Sequence, residues 1–252
     1  MAFFESQGFS LAYDEIAGDG RPVVLIHGFA SNRAENWKRL GWYGAFERRG
    51  MRMAALDLRG HGESAKPHEP GAYARSALAA DVVALLDRLG AERADLVGYS
   101  LGARVAVAAA LLAPKRFPLL VLGGVGGRLF EPAPPGTPMA EAMEADDPES
   151  IPNSLLRSFR RFADEQKEDR LALAAMARQR DESLTRDIVG HLAMPVLVVA
   201  GSRDELAGDP GTLAAAIPGA RSVTLPGCDH FSAIPHALFK AAVFDFLDGV
   251  LE

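Results

Sequence analysis

Ser100 lies in Gly98-Tyr99-Ser100-Leu101-Gly102, a G-x-S-x-G pattern. Before it, Ala94-Asp95-Leu96-Val97 reads as a buried strand; after it, Ser100 to Ala113 reads as a helix apolar nearly all round. A serine on a sharp strand-to-helix turn projects its hydroxyl above the sheet and demands small neighbours two places away. The helix behind it aims its positive end at developing negative charge. The next residue, Leu101, offers its N–H to an oxyanion. Serine needs a base, and histidine titrates in the useful range. His230 follows the last strand-like run, Arg221 to Leu225, at the end of a parallel sheet that also carries Ser100. Acids that can orient it are Asp204, after the run Pro195 to Ala200, with Glu205, Asp209 and Asp229 as competitors. Ser100 is thus a candidate nucleophile and His230 its base, with the orienting acid among Asp204, Glu205, Asp209 and Asp229. A dinucleotide loop needs G-x-G-x-x-G and a phosphate loop needs Gly-Lys-Ser or Gly-Lys-Thr; neither stands here.

The elements that must position these residues follow from hydrophobic runs. Val23 to Ile26, Arg52 to Leu56, Ala94 to Val97, Phe117 to Leu122, Pro195 to Ala200 and Arg221 to Leu225 are short and mostly continuous, as in strands covered on both faces. Phe3 to Ala17, split near Gly8, reads as an antiparallel hairpin at the sheet edge. Helical spacing marks Tyr73 to Leu89, with Gly90 as its stop, and Pro235 to Leu251. Alternation of strand and helix predicts an α/β fold with a doubly wound, mostly parallel sheet. No strand signal appears from Gly126 to His191. That stretch opens with a Pro-rich loop, Glu131 to Pro138, and an acidic run, Glu141 to Glu149. Helical patterns follow at Ser154 to Gln166, Asp169 to Arg180 and Leu184 to Val189. The expected organisation is a core of residues 1–125 and 192–252, with residues 126–191 inserted as a helical cap over the strand ends.

Taken together, the chain resembles the α/β-hydrolase superfamily over nearly its full length. The matching stretches, in family order, are His27-Gly28-Phe29-Ala30, Asp57-Leu58-Arg59-Gly60-His61-Gly62-Glu63-Ser64, Gly98 to Gly102, Gly201-Ser202-Arg203-Asp204 and Gly227-Cys228-Asp229-His230. The resemblance implies the α/β-hydrolase fold and a catalytic triad of Ser100, Asp204 and His230. Relatives place their acid where Asp204 stands, or after the preceding strand; here that alternative loop, Gly123 to Gly127, has no carboxylate. The resemblance also implies Phe29 N–H as the second oxyanion donor beside Leu101, with Gly28 letting the backbone come close. It makes His27 a brace for that loop, and Asp57 to Ser64 with His61 architecture. Ala103 departs from the pattern where many relatives carry a further glycine.

The 252 residues carry a net charge of −6. An acidic balance argues against nucleic acid as a partner. Cys228 is the single cysteine, so no intramolecular disulfide forms. The first residues lack the basic start and apolar run of a secretory leader, and no apolar stretch reaches membrane-spanning length, so a cytoplasmic location without a membrane span is expected. No metal or cofactor motif is present, and a triad needs none.

The expected reaction is hydrolysis of small to medium carboxylic esters. Relatives that cleave haloalkanes or epoxides use an aspartate where Ser100 stands. C–C bond hydrolases, lactonases, thioesterases and acyltransferases share the triad, and a ligand-binding receptor is a different class on the same fold. Substrate contacts are expected from Gly28, Phe29, Tyr99, Phe159 and Phe162. Met139, Met143, Leu155 and Met176 are further apolar candidates, and Arg157, Arg160 and Arg161 are candidates for a carboxylate.

Overall fold

The computed structural model describes residues 1–131 and 137–250. Eight strands form one sheet in the order β1-β2-β4-β3-β5-β6-β7-β8. β1 (Ala2–Ser6) and β2 (Phe9–Ile16) form the edge hairpin, and β2 pairs antiparallel with β4 (Met51–Leu56). β3 (Asp19–Ile26), β5 (Asp95–Tyr99), β6 (Leu120–Gly123), β7 (Val196–Gly201) and β8 (Arg221–Leu225) continue in parallel. The predicted hairpin and six further strands are all present, displaced by a few residues at their ends.

Helices cover both faces of this sheet. α1 (Trp42–Arg48) and α9 (Ala237–Leu247) bury Trp42, Phe46, Phe239 and Phe244 against one face. α2 (Arg75–Arg88) and α3 (Leu101–Leu112) bury Leu78, Val82, Val105 and Ala109 against the other, joined by α8 (Pro210–Ala214). Two hydrophobic faces sandwiching continuous apolar strands explain why those runs did not alternate.

Between β6 and β7 the described residues form helices and no strand. α4 (Thr137–Glu144), α5 (Ser154–Glu165), α6 (Arg170–Arg178) and α7 (Arg186–Gly190) follow in order. Asn153, Asp169 and Thr185 cap α5, α6 and α7 through backbone N–H groups, as short polar residues do at helix starts. Met143, Phe159, Ala163 and Leu173 build a small separate core that also takes in Ala30 from the loop after β3. These helices therefore pack over a loop at the C-terminal end of the sheet, where ligands bind in such folds. Of the Pro-rich loop expected from Glu131 to Pro138, residues 132–136 lie outside the described residues; Thr137 and Pro138 already belong to α4. Leu251, the expected end of the last helix, also lies outside them.

A buried bidentate ion pair ties the edge hairpin to the core. Arg59 Nε and Nη2 donate to Asp81 on α2 at 2.6 and 2.7 Å, and Ser6 Oγ at the end of β1 donates to the same carboxylate at 2.6 Å. Among the described residues no helix is long and apolar enough to cross a membrane.

Candidate active site

Ser100 takes φ 55° and ψ −111°, a conformation that costs a non-glycine residue free energy. Neighbouring packing enforces it. A Cβ at Gly98 would overlap the Gly102 carbonyl, and a Cβ at Gly102 would overlap the Ile26 carbonyl. Strand β5 and helix α3 touch through those two glycines, so the turn between them is as tight as a side-chain-free backbone allows.

His230 Nε2 lies 3.0 Å from Ser100 Oγ, and its Nδ1 lies 2.8 Å from Asp204 Oδ2. Asp204 is held by its own turn: Oδ1 accepts the Leu206 and Ala207 N–H groups at 3.0 and 2.9 Å. His230 is held by Tyr99, whose hydroxyl donates to the His230 carbonyl at 2.6 Å. Burial raises the Tyr99 phenol well above its ordinary range, so it stays a donor. Of the competing acids, Glu205 is exposed and the other two are engaged elsewhere. Asp229 accepts from the Phe231 and Ser232 N–H groups of its own turn, and Asp209 caps α8.

The loop after β3 approaches the same point. Gly28 lies next to Ser100, where an added Cβ would be 3.4 Å from the Ser100 Cβ. The Phe29 and Leu101 N–H groups donate to no acceptor among the described residues, which leaves both available to a ligand. Two histidines brace this loop. His27 Nε2 accepts the Leu58 N–H at 3.0 Å, so Nδ1 carries the proton and donates to Gly28 O at 2.8 Å. His61 Nε2 accepts the Ala30 N–H at 3.1 Å and donates from Nδ1 to Arg59 O at 2.9 Å. Burial depresses both imidazoles, His27 to about 4 and His61 to about 3. Asn36, in a π-type turn over Ala34–Lys38, accepts the Gly28 N–H at 3.2 Å. Glu168 reaches in from the segment between α5 and α6. It accepts from Asn32 Nδ2 at 2.9 Å and Gly62 N at 2.8 Å, and burial pushes its carboxyl up to about 7.

A cavity of about 460 Å³ opens beside Ser100 and His230, with Phe29, Leu101, Met139, Phe159 and Met176 in its wall. A second space of about 30 Å³ lies against Gly28, Tyr99, Ser100, Phe162 and His230. The expected contacts Gly28, Phe29, Tyr99, Phe159 and Phe162 are thus all brought around Ser100. Two apolar candidates are not: Met143 is buried within the helical core after β6, and Leu155 points to solvent. The three α5 arginines do not line either space. Arg157 and Arg160 donate to the carbonyls of Ile151 and Ala145, and Arg161 pairs with Glu149. The cations of the larger cavity are instead Arg75, Arg104 and Arg128. Of these, only Arg104 carries a sequence signal, its place one helical turn beyond Ser100. Among the described residues no group of three His, Cys, Asp or Glu side chains is arranged to hold a metal ion.

A family model described as the alpha/beta hydrolase fold matches residues 21–175. The chain belongs to this family. Solved structures of the family follow this α/β hydrolase along its length. A hydrolase from Pseudomonas aeruginosa PA01 superposes with TM-score 0.80 at 29% identity, covering 98% of this chain and 97% of that one. The enol-lactonase from Burkholderia xenovorans superposes with TM-score 0.80 at 25% identity, covering 98% and 100%. Among curated relatives, the dihydrolipoyllysine-residue acetyltransferase component of the acetoin cleaving system of Pseudomonas putida is 32% identical over 243 residues. That match takes in 90% of this chain and 63% of the relative. Epoxide hydrolase B of Mycobacterium tuberculosis is 40% identical over 103 residues, or 38% of this chain and 26% of that protein. The α/β hydrolase thus spans less than two thirds of the curated relatives it matches.

Proposed function

We propose that this chain is a serine hydrolase that cleaves small to medium carboxylic esters through an acyl-enzyme. The single observation that carries the reading is the hydrogen-bonded chain Asp204–His230–Ser100, with contacts of 2.8 and 3.0 Å. Asp204 accepts from Nδ1 and so leaves Nε2 free to receive the Ser100 proton. Ser100 Oγ attacks the ester carbonyl, and the N–H groups of Phe29 and Leu101 hold the oxyanion. His230 returns the proton to the departing alcohol. It then activates water, which releases the acid and restores Ser100. The cavity of about 460 Å³ suits a small to medium substrate, and Phe159 and Met176 favour apolar chains. The described residues of 126–191 act as a cap, with Met139, Phe159 and Met176 on the larger cavity and Phe162 on the smaller space.

Lactone hydrolysis is the second reading, supported by the likeness to the enol-lactonase. It uses the same steps, with the alcohol retained on the product. The partial match to an epoxide hydrolase carries less weight, because Ser100 offers a hydroxyl where such enzymes use a carboxylate nucleophile.

The test is hydrolysis of p-nitrophenyl esters from acetate to laurate by wild type and Ser100→Ala. Saturable turnover of the shorter esters, abolished in the variant, is the expected result. Folded wild type that turns over neither these esters nor lactones contradicts the reading.

A further inference from the structure

The large cavity has an apolar wall and a cationic pole, and the pole has no role in the triad. Arg104, in the first turn of α3, follows Ser100 by four residues, and both line the cavity. Helical side chains lean toward the N-terminus, which carries the Arg104 guanidinium back toward the Ser100 turn. Arg75, the first residue of α2, reaches the same cavity. Both arginines also line an adjoining space of about 160 Å³, bounded by Tyr73 and Gln179.

The pole is short of negative charge. Arg75 Nη1 donates to Glu182 O at 3.0 Å, and Asp181 Oδ1 is occupied by the Arg75 backbone N–H at 3.0 Å. Arg128 stands 3.8 Å from Glu131. Among the described residues Arg104 makes no ion pair and no side-chain hydrogen bond. Its guanidinium is held below its ordinary range by burial and then by the like charge of Arg75. Three arginines against Asp181 and Glu131 leave one positive charge facing the cavity. A half-buried, unpaired guanidinium beside a second cation costs free energy that a bound anion would recover.

We propose that Arg104, assisted by Arg75, binds a carboxylate carried by the substrate, so that the natural substrate is an anionic ester or lactone. This rests on the reading of Ser100 as nucleophile. One surplus positive charge matches a carboxylate better than a phosphate dianion, and the planar fork of arginine binds a carboxylate through two parallel hydrogen bonds. The apolar wall at Met139, Phe159 and Met176 receives the carbon chain between the two ends of such a molecule.

The experiment compares the mono-p-nitrophenyl ester of glutarate with p-nitrophenyl valerate, which has the same acyl length, after correction for spontaneous hydrolysis. The expected wild-type kcat/KM favours the glutarate ester by about tenfold or more, the worth of a charge-assisted hydrogen bond. The advantage shrinks as salt rises. Arg104→Met lowers the ratio of the two esters by about tenfold or more, mainly through KM, and Arg104→Lys restores part of it. A wild-type ratio near or below one overturns the proposal, as does an Arg104→Met variant that slows both esters alike. Glutarate binding to Ser100→Ala, followed by calorimetry, separates this proposal from the one beneath it. Arg104-dependent binding without turnover of either ester keeps the anion site and removes the nucleophile. Ester turnover without glutarate preference or binding does the reverse. Inorganic phosphate that displaces glutarate at equal concentration overturns the assignment to a carboxylate.

Discussion

Asp204 divides its two oxygens between two tasks: Oδ2 lies 2.8 Å from His230 Nδ1, and Oδ1 accepts the N–H groups of its own turn. Asp204→Asn separates these tasks. The amide oxygen can still cap the turn, so the fold should survive. The amide nitrogen then faces Nδ1 and donates to it, which moves the imidazole proton to Nε2. His230 can no longer accept from Ser100. The expected result is a fall in kcat of about 10⁴, as in other triads, with little change in melting temperature. Undiminished kcat would point to a different acid.

The contact between α3 and the end of β3 leaves no room at Gly102. In Gly102→Ala the new methyl meets the Ile26 carbonyl, and the helix must shift away from the sheet. A loss of stability of about 1–3 kcal/mol or more is expected from urea titration. Ester turnover should fall in the protein that remains folded, since the same shift displaces Ser100. Gly71→Ala is the control, because a Cβ there meets no atom within 4 Å.

The buried Arg59–Asp81 pair gives a second stability test. Asp81→Ala strands a fully buried guanidinium and removes the acceptor of Ser6. Such losses cost about 3–5 kcal/mol. Asp81→Ala and Arg59→Met together should be less destabilising than Asp81→Ala alone, because no charge is then left unpaired. Equal losses in the single and double variants would mean that the ion pair contributes little.

Three buried groups set the acid stability of the loop beside Ser100. His27 and His61 are depressed to about 4 and 3 from 6.5, so in the unfolded chain they take protons first. Their contribution is whole above pH 6.5 and is lost as pH falls toward 4 and 3. Glu168 runs the other way, being raised to about 7 from 4.5: its contribution is whole below pH 4.5 and is lost as pH rises through 7. Between pH 6.5 and 4.5 the unfolded chain comes to hold two protons at these sites while the native chain holds one. From these sites, stability should fall toward pH 4.5 by about 1.4 kcal/mol per pH unit. In Glu168→Gln the slope should approach twice that. Urea titrations at pH 6.5, 5.5 and 4.5 measure it, and equal slopes in both proteins would contradict the assignment.

Much of this arrangement was legible in the sequence because its signals are local. The parallel strands are continuous apolar runs, and Gly98 and Gly102 flank Ser100 within five residues. The short helix α7 was legible, but α1 and α4 were not. α1 has seven residues, and α4 starts inside a tract rich in proline, so neither gives a full helical period of apolar positions. The bracing of Ala30 by His61 was not legible either, since it joins residues 31 apart through a single hydrogen bond. The arginines that line the cavity were not legible for the same reason. The α5 arginines sit near an apolar face in sequence yet bond to nearby carbonyls and Glu149, while Arg75 and Arg104 meet only when α2 and α3 pack.

The most direct test of the central claim is covalent labelling of Ser100 with a fluorophosphonate, mapped by mass spectrometry. The account expects one label per chain, on the peptide containing Ser100, absent in Ser100→Ala and slower by about 100-fold or more in His230→Ala. Labelling at another residue, or at Ser100 with equal speed when His230 is removed, would contradict it.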